Sequence, residues 1–216
     1  MTIAFGNTTI GTLAFSNGRT MAVTVPAGTH MHAQVGIFCG EAQTVSGIPT
    51  LNGVNLNLLD SAANTGGGGI RVYMYGLVAP TTGNLIYALT GNESHGCFVI
   101  NRSGVHQTNP NETPVKSITT TATPSVAVTS KANSLVVDCV GFATGTSRSL
   151  TVGALQTDRV SVDSGAGSSI GFGGSDEPGG ASITMSWTIS AAPDASAIIA
   201  MSLNPYIGGN QVIWMM

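Results

Sequence analysis

Residues 181–190 alternate apolar and polar side chains so regularly that they fit a β-strand and not a helix. Ile183, Met185, Trp187 and Ile189 fall on one side of an extended chain, and Ser and Thr fall on the other. Side chains of a strand point alternately to opposite faces. The pattern is therefore typical of a strand with one buried and one solvated face.

Similar strand-length apolar segments recur along the chain, separated by glycine, proline and asparagine. No window of about a dozen residues shows an apolar stripe at helical spacing with capping residues. We expect an all-β protein: an antiparallel β-sandwich, jelly-roll-like, with long Gly/Ser/Thr-rich loops and little or no helix. The other predicted strands are 20–25, 33–39, 70–78, 85–89, 97–100, 125–129, 135–140, 150–155, 160–162 and 197–203.

The segment 70–78 is a predicted strand whose side chains divide between two faces. One face carries Ile70, Val72, Met74 and Gly76, and the other carries Arg71, Tyr73, Tyr75 and Leu77. The two tyrosines share a face, so they form either a ring pair packed within a sheet or an exposed platform for stacking a sugar. The packed pair is the interpretation we favour.

Turns and loops are marked by their residue types. The dipeptide Asn52-Gly53 between apolar residues predicts a hairpin turn, because both residue types tolerate positive φ. Three segments, 61–69, 102–124 and 163–180, are rich in Gly, Ser, Thr or Pro and are predicted to be long loops. Loops of that length usually carry contacts or move.

The chain is poor in charge. Charged residues make up 8% of the sequence, and the net charge is −3. Lys and Arg are scattered, so nucleic-acid binding, which needs clustered positive charge, is not expected. No apolar run reaches the length of a membrane helix. A surface with so few charges is weakly protected against association, so we expect a homo-oligomer whose surface is covered by neighbouring chains. A robust monomer with a Ser/Thr/Asn surface is the alternative.

Three cysteines, Cys39, Cys97 and Cys139, each lie within an apolar strand-like run. Their number is odd and their spacing fits no zinc motif. We expect small buried core residues. A disulfide between two of them is the alternative.

Candidate catalytic and metal-binding residues do not form a recognisable set. His30 and His32 would share a face of a strand, but no third ligand is evident, so we expect loop or surface histidines and no metal site. Asp158, Asp163 and the Asp176-Glu177 pair could bind calcium, but their spacing fits no calcium loop. No nucleophile elbow or phosphate loop is present. The sequence predicts neither an enzyme nor a cofactor.

The end of the sequence is apolar and follows a Gly-Gly pair. We expect residues 1–205 to form a single β-sandwich domain and 206–216 to form a tail. The tail is either the last strand of its own sheet or an arm that adds a strand to a neighbouring subunit. The predicted contact residues of the arm are Val212, Ile213, Trp214 and Met215.

Several turn-and-strand segments together resemble bacteriophage virion proteins with jelly-roll or related β-sandwich folds. They are VTVPAGT at 23–29, LNGVNL at 51–56, YGLVAPTTGN at 75–84, GVHQTNP at 104–110, TSKANSLVVD at 129–138 and the strand around Trp187.

The resemblance implies a non-enzymatic structural role in a virion, as a capsid decoration or cement protein or a head or tail accessory protein. Its implied partners are other virion proteins, without nucleic acid or membrane. Because the sequence begins without a signal-peptide pattern, we expect assembly in the host cytoplasm. A carbohydrate-binding or receptor-binding adhesin-like module is the alternative function.

Overall fold

Strands account for all the regular secondary structure that the structure describes. The computed structural model describes residues 2–65, 68–165 and 169–208, and no helix occurs within these ranges. The strands are β1 (Ala4–Val23), β2 (His32–Gly40), β3 (Val45–Leu51), β4 (Val54–Asn55), β5 (Asn57–Asn64), β6 (Ile70–Val78), β7 (Gly83–Ser103), β8 (Val115–Thr119), β9 (Ser125–Val128), β10 (Leu135–Ala143), β11 (Leu150–Val152), β12 (Thr157–Val162), β13 (Ile170–Pro178), β14 (Ile183–Ile189) and β15 (Ala195–Leu203).

The strands form three antiparallel sheets. A seven-stranded sheet has the order β4-β3-β7-β2-β6-β5, with β1 paired to the other side of β7. A five-stranded sheet has the order β12-β13-β10-β15-β8, and a three-stranded sheet has the order β11-β14-β9. The predicted all-β antiparallel sandwich is therefore confirmed.

Strand β7 organises the largest sheet. Along one side it pairs with β1 over nearly its whole length. Along the other side its first half pairs with β3 and its second half pairs with β2. The sheet is curled into a half-barrel.

Alternation of side chains along the strands produces a separate apolar cluster on each face of the curled sheet. On β6, Ile70, Val72 and Met74 join the cluster between the two larger sheets. Tyr75 lies in the cluster inside the half-barrel, with Tyr73 packed against it. The predicted division of this strand into two faces is confirmed, and so is the tyrosine pair packed within the sheet.

A third apolar cluster lies between the five-stranded and three-stranded sheets. Met185, Trp187 and Ile189 of β14 are buried there, as their alternation predicted. They pack with Val140 and Phe142 of β10. Strand β10 thus contributes to two clusters, one on each of its faces, and the five-stranded sheet is the central layer.

The prediction of a loop over 163–180 is wrong, because Ile170–Pro178 forms the strand β13, buried at every position but its last. The glycines that suggested a loop make room for aromatic rings. A Cβ at Gly174 would stand 2.7 Å from the ring of Phe98, and one at Gly173 would stand 2.8 Å from the indole of Trp187. The other two loop predictions fail in part, since β8 lies within 102–124 and β5 runs into 61–69.

Two local predictions are confirmed. Asn52 and Gly53 have φ values of 49° and 76° and connect β3 to β4, as a hairpin turn requires. Cys39, Cys97 and Cys139 are buried and unpaired. Burial raises the pKa of the Cys39 thiol to about 12, so this side chain is a neutral core residue at ordinary pH.

Candidate interaction surface

The outer edge of β1 is a long row of backbone groups to which no other described strand is hydrogen-bonded. Strand β1 has 20 residues and pairs only with β7 among the strands that the structure describes. Unpaired N–H and C=O groups on an edge strand are a template for pairing with another chain. Register shifts after Phe5, Gly11 and Ser16 interrupt the pairing with β7 and divide β1 into shorter regular segments.

Exposed apolar side chains line the same strand. Phe5, Ile10 and Phe15 are 41%, 43% and 72% exposed, and Ile86 on β7 is 47% exposed. Isolated exposed apolar residues are common on proteins, but a row of them along a free edge is characteristic of an interaction surface.

These four side chains lie on one face of the β1–β7 ribbon. In β7, odd-numbered residues such as Tyr87 and Val99 belong to the cluster inside the half-barrel. Even-numbered residues of β7, Ile86 among them, face the other way. Residues directly opposite each other in an antiparallel pair share a face. The partners of Phe5, Ile10 and Phe15 are all even-numbered: Arg102, Phe98 and Ser94. We call the free edge of β1 together with Phe5, Ile10, Phe15 and Ile86 the β1 surface.

The predicted arm residues Val212, Ile213, Trp214 and Met215 lie outside the described residues, which end at 208. The chain just before them is held at the end of β7. The Tyr206 backbone N–H donates to the Gly104 carbonyl at 2.7 Å. The Tyr206 ring stacks on His30 with centroids 3.5 Å apart.

The two histidines singled out from the sequence do not share a site. His30 lies in the loop before β2 with a φ of 54°. His32 is the first residue of β2 and is 1% exposed. The prediction of a loop or surface histidine is thus wrong for His32, because the apolar strand that follows carries it into the core. No group of three potential metal ligands occurs in the described ranges.

The acidic residues considered for calcium are dispersed as well. Asp176 accepts hydrogen bonds from Arg102 and Arg159, and Asp163 accepts one from the Leu150 backbone N–H. Asp158 accepts a hydrogen bond from the Ser161 hydroxyl at 2.6 Å. Each of these carboxylates has its own protein partner, and they do not converge on a common point.

A buried polar cluster joins the two larger sheets. Arg102 of β7 is fully buried and donates to Gln34 at 2.7 Å and to Asp176 of β13 at 3.2 Å. Asp138 of β10 accepts hydrogen bonds from the Ser175 backbone N–H at 2.7 Å and from the Trp187 indole at 2.8 Å. Burial raises the pKa of Asp138 to about 7. The hydrogen bonds of the cluster connect β7, β10, β13 and β14.

A serine, a histidine and a tyrosine form a hydrogen-bonded chain between β1 and β7. Ser16 Oγ lies 2.8 Å from His95 Nε2, and Tyr87 Oη lies 2.7 Å from His95 Nδ1. The Ser16 hydroxyl donates to the Gly18 carbonyl at 2.8 Å, so His95 donates to Ser16 and accepts from Tyr87. In this arrangement the imidazole does not take up the serine proton, which a nucleophilic serine would require.

Cavities occur at opposite ends of the sandwich. One of about 330 Å³ is lined in part by the carboxylates of Glu41, Glu93 and Asp194. Another, of about 240 Å³, is bordered by His32 and by Gln107. Neither cavity contains a residue of the serine–histidine–tyrosine chain.

The sequence does not predict the β1 surface, because apolar and polar side chains do not alternate regularly over the first twenty residues. The bulges that break the register with β7 also break the period of two. The one sequence feature that indicates this surface is the spacing of five residues between the apolar side chains Phe5, Ile10 and Phe15.

Comparisons with known proteins identify no relative. No protein-family model matches the chain, and neither a curated protein nor a solved structure matches it significantly. Across the described ranges, no helix is long and apolar enough to cross a membrane.

Proposed function

We propose that this chain is a non-enzymatic structural protein that acts by assembling with copies of itself through the β1 surface. The observation that carries the proposal is the free edge of β1 with its row of exposed apolar side chains. Pairing with another strand would satisfy the backbone groups of the edge and would bury Phe5, Ile10 and Phe15 together.

A second copy of the chain fits this edge. Two identical strands pair antiparallel about a twofold axis, which is the commonest symmetry of homo-oligomers. Arg19 is the only charged residue of β1, so pairing of two copies brings few like charges together. The low charge of the whole chain supports the same interpretation.

We further propose that the assembly is part of a bacteriophage particle, as a capsid decoration or cement protein. The support is the resemblance of several turn-and-strand segments to virion β-sandwich proteins. A cement protein needs surfaces that bind neighbouring subunits, and the β1 surface is of that kind.

Lysine substitutions test the assembly. We expect Ile10→Lys combined with Phe15→Lys to shift the sedimentation coefficient from oligomer to monomer, since charge on an edge strand opposes pairing. Leu155→Lys is the matched control, because Leu155 is 85% exposed and lies outside β1, in the loop between β11 and β12. A double variant that sediments like the wild type, or a wild type that is monomeric at high concentration, would contradict the proposal.

Mass spectrometry tests the virion assignment separately. In particles purified from lysed host cells that carry the gene, we expect the chain in numbers comparable to those of the shell protein. Its absence from particles, with the chain recovered only in the soluble fraction, would overturn the virion role and leave the assembly proposal to the sedimentation experiment.

A further inference from the structure

A cavity at the end of β2 and β6 has the features of a small ligand site. Its volume is about 240 Å³, below the roughly 300–1,000 Å³ of pockets for drug-sized ligands, so it suits a single ring. We call it the His32 cavity. It is lined by His32, Asn57, Leu59, Gly76, Leu77, Val78, Gln107, Pro110 and Asn111.

His32 supplies a buried polar group that the fold leaves unused. The residue is 1% exposed, and its Nδ1 has no hydrogen-bond partner in the described part of the chain. Burial and the nearby Arg102 lower the pKa of His32 to about 3, so the ring is neutral at ordinary pH. A buried polar atom without a partner is costly, and in a native protein it is explained by strain, by a functional role or by a bound water or ion.

Gly76 keeps the cavity open. A Cβ at this position would stand 3.0 Å from Leu59 Cδ1 and 3.1 Å from His32 Nε2. Gly76 pairs directly with Asn57 across the sheet, so both residues present the same face. The glycine therefore leaves space between the imidazole and the asparagine, where a larger residue would fill it.

The polar groups around the cavity are carboxamides with unused oxygens. Gln107 Nε2 donates to the carbonyls of Met31 and Val105, and Asn111 Nδ2 donates to that of Glu112. Gln107 has both of its N–H groups engaged within the protein and Asn111 has one, and both side chains keep their amide oxygens as acceptors. Among the described residues that line the cavity, none is Asp, Glu, Lys or Arg.

These features select a neutral ligand with several hydroxyl donors and an apolar face. Amide oxygens and a neutral imidazole hydrogen-bond hydroxyls, and Leu59 and Pro110 offer apolar contact to C–H groups. The absence of charged lining residues disfavours phosphates, carboxylates and amines, because an ion would lose its hydration without gaining an opposite charge. We propose that the His32 cavity binds one neutral sugar residue, a hexose or an N-acetylhexosamine, of a surface glycan.

The proposal is independent of the assembly role. A structural protein that also holds one sugar residue could attach its assembly to a glycan-bearing surface. The predicted alternative of a tyrosine platform does not serve this purpose, since Tyr75 is 5% exposed and packs inside the half-barrel.

Nuclear magnetic resonance of the full chain tests the inference. The probes are the methyl glycosides of glucose, galactose and mannose, together with N-acetylglucosamine and N-acetylgalactosamine. We expect at least one to shift the ring nitrogen resonances of His32 in a saturable way, with a Kd in the millimolar range. Sialic acid and glucuronate serve as charged comparators and are expected to leave these resonances unchanged.

Two variants connect the binding to the cavity. Asn57→Leu removes an exposed carboxamide, and Gly76→Ala fills the space beside His32. Each is expected to weaken binding of the sugar at least tenfold. Asn92→Leu is the matched control, because Asn92 is an exposed strand asparagine that does not line the His32 cavity, and it is expected to bind normally.

Three results would overturn the inference. They are no saturable shift at His32 with any neutral probe, stronger binding of a charged sugar, and unchanged binding in both folded cavity variants. None of these results bears on sedimentation, so failure of the sugar site is distinguishable from failure of the assembly proposal.

Discussion

Aromatic rings and glycine backbones meet repeatedly in the interior of this protein. The rings of Phe38 and Phe172 stack with centroids 4.7 Å apart. Phe98 packs against Gly36 and Gly174, where an added Cβ would stand 2.7 Å from the ring. A glycine in a strand usually weakens it, but here its missing side chain lets a ring lie close to the backbone.

This packing predicts a large effect of a single methyl group. A Cβ at Gly173 would stand 2.8 Å from Trp187 Cη2 and 2.9 Å from the Val160 carbonyl. We expect Gly173→Ala to lower the free energy of unfolding by about 1–3 kcal/mol, as overpacking of a core does. Urea denaturation measures it. Gly145→Ala, with nothing within 4 Å of its Cβ, is the control and should unfold like the wild type.

The buried histidine between β1 and β7 predicts a pH effect. Burial, reinforced by Arg19, lowers the pKa of His95 to about 4. Between about pH 4 and its unfolded value of about 6.5, His95 is neutral when folded and protonated when unfolded, so its contribution to stability falls as the pH falls through that window.

The pH dependence of the total stability does not isolate His95. The lowered pKa of His32 also makes stability fall as the pH falls, whereas the raised pKa of Asp138 makes stability rise as the pH falls. The titration of His95 itself must therefore be measured. We expect the ring resonances of His95 to stay constant from about pH 7 to about pH 6, well above its lowered pKa of about 4. A titration midpoint near that of a free histidine would show that the ring is not buried as described.

At the scale of elements, β7 and β13 are joined by a buried ion pair. Asp176 of β13 binds Arg102 of β7 at 3.2 Å and Arg159 of β12 at 2.9 Å. Arg102 is fully buried, so removing the carboxylate leaves an uncompensated charge in the core. We expect Asp176→Ala to cost about 3–5 kcal/mol of stability, the usual effect of breaking a buried pair.

Removing both charges of the Arg102–Asp176 pair is expected to lower the stability less than removing the Asp176 carboxylate alone. In the double variant Arg102→Met with Asp176→Leu, no charge of this pair remains buried, and stability should recover in part relative to Asp176→Ala. Thermal unfolding at fixed pH compares the three proteins. A double variant less stable than Asp176→Ala would show that the pair is needed for more than charge compensation.

The elements also show how far the sequence predicts this fold. Strand β6 matches the predicted segment 70–78 exactly, and β14 agrees with its predicted alternation, because both lie in regular sheets with well-defined faces. Where β13 lies, the sequence predicts a loop, because its glycines indicate a turn unless the aromatic rings that cover them are known. Strand β1 was mostly missed, because its bulges break the period of two.

The candidate sites, too, could be found only once the topology of the strands was known. The pairing of His95 with Ser16 joins residues 79 apart in the sequence. The His32 cavity brings together β2, β5, β6 and the loop before β8. Neither juxtaposition leaves a spacing pattern that can be read without the topology. The predicted arm, in contrast, followed from local apolarity and stays a prediction.

At the scale of the whole molecule, two contacts are proposed for assembly: the β1 surface and the predicted arm. Deleting 211–216, which removes Val212, Ile213, Trp214 and Met215, is expected to weaken oligomers measured by sedimentation velocity. An unchanged distribution of sedimentation coefficients would contradict the arm and would leave the β1 surface as the contact to be tested.

Hydrogen exchange of β1 tests the central claim of assembly through this edge most directly. Deuterium uptake of peptides within Ala4–Val23 is measured at a low and a high protein concentration, with peptides from the loop 144–149 as reference. We predict that amides of β1 become more protected as the concentration rises, while the reference loop does not change. Equal uptake in β1 at both concentrations, in a sample that sediments as an oligomer at the higher one, would contradict the claim.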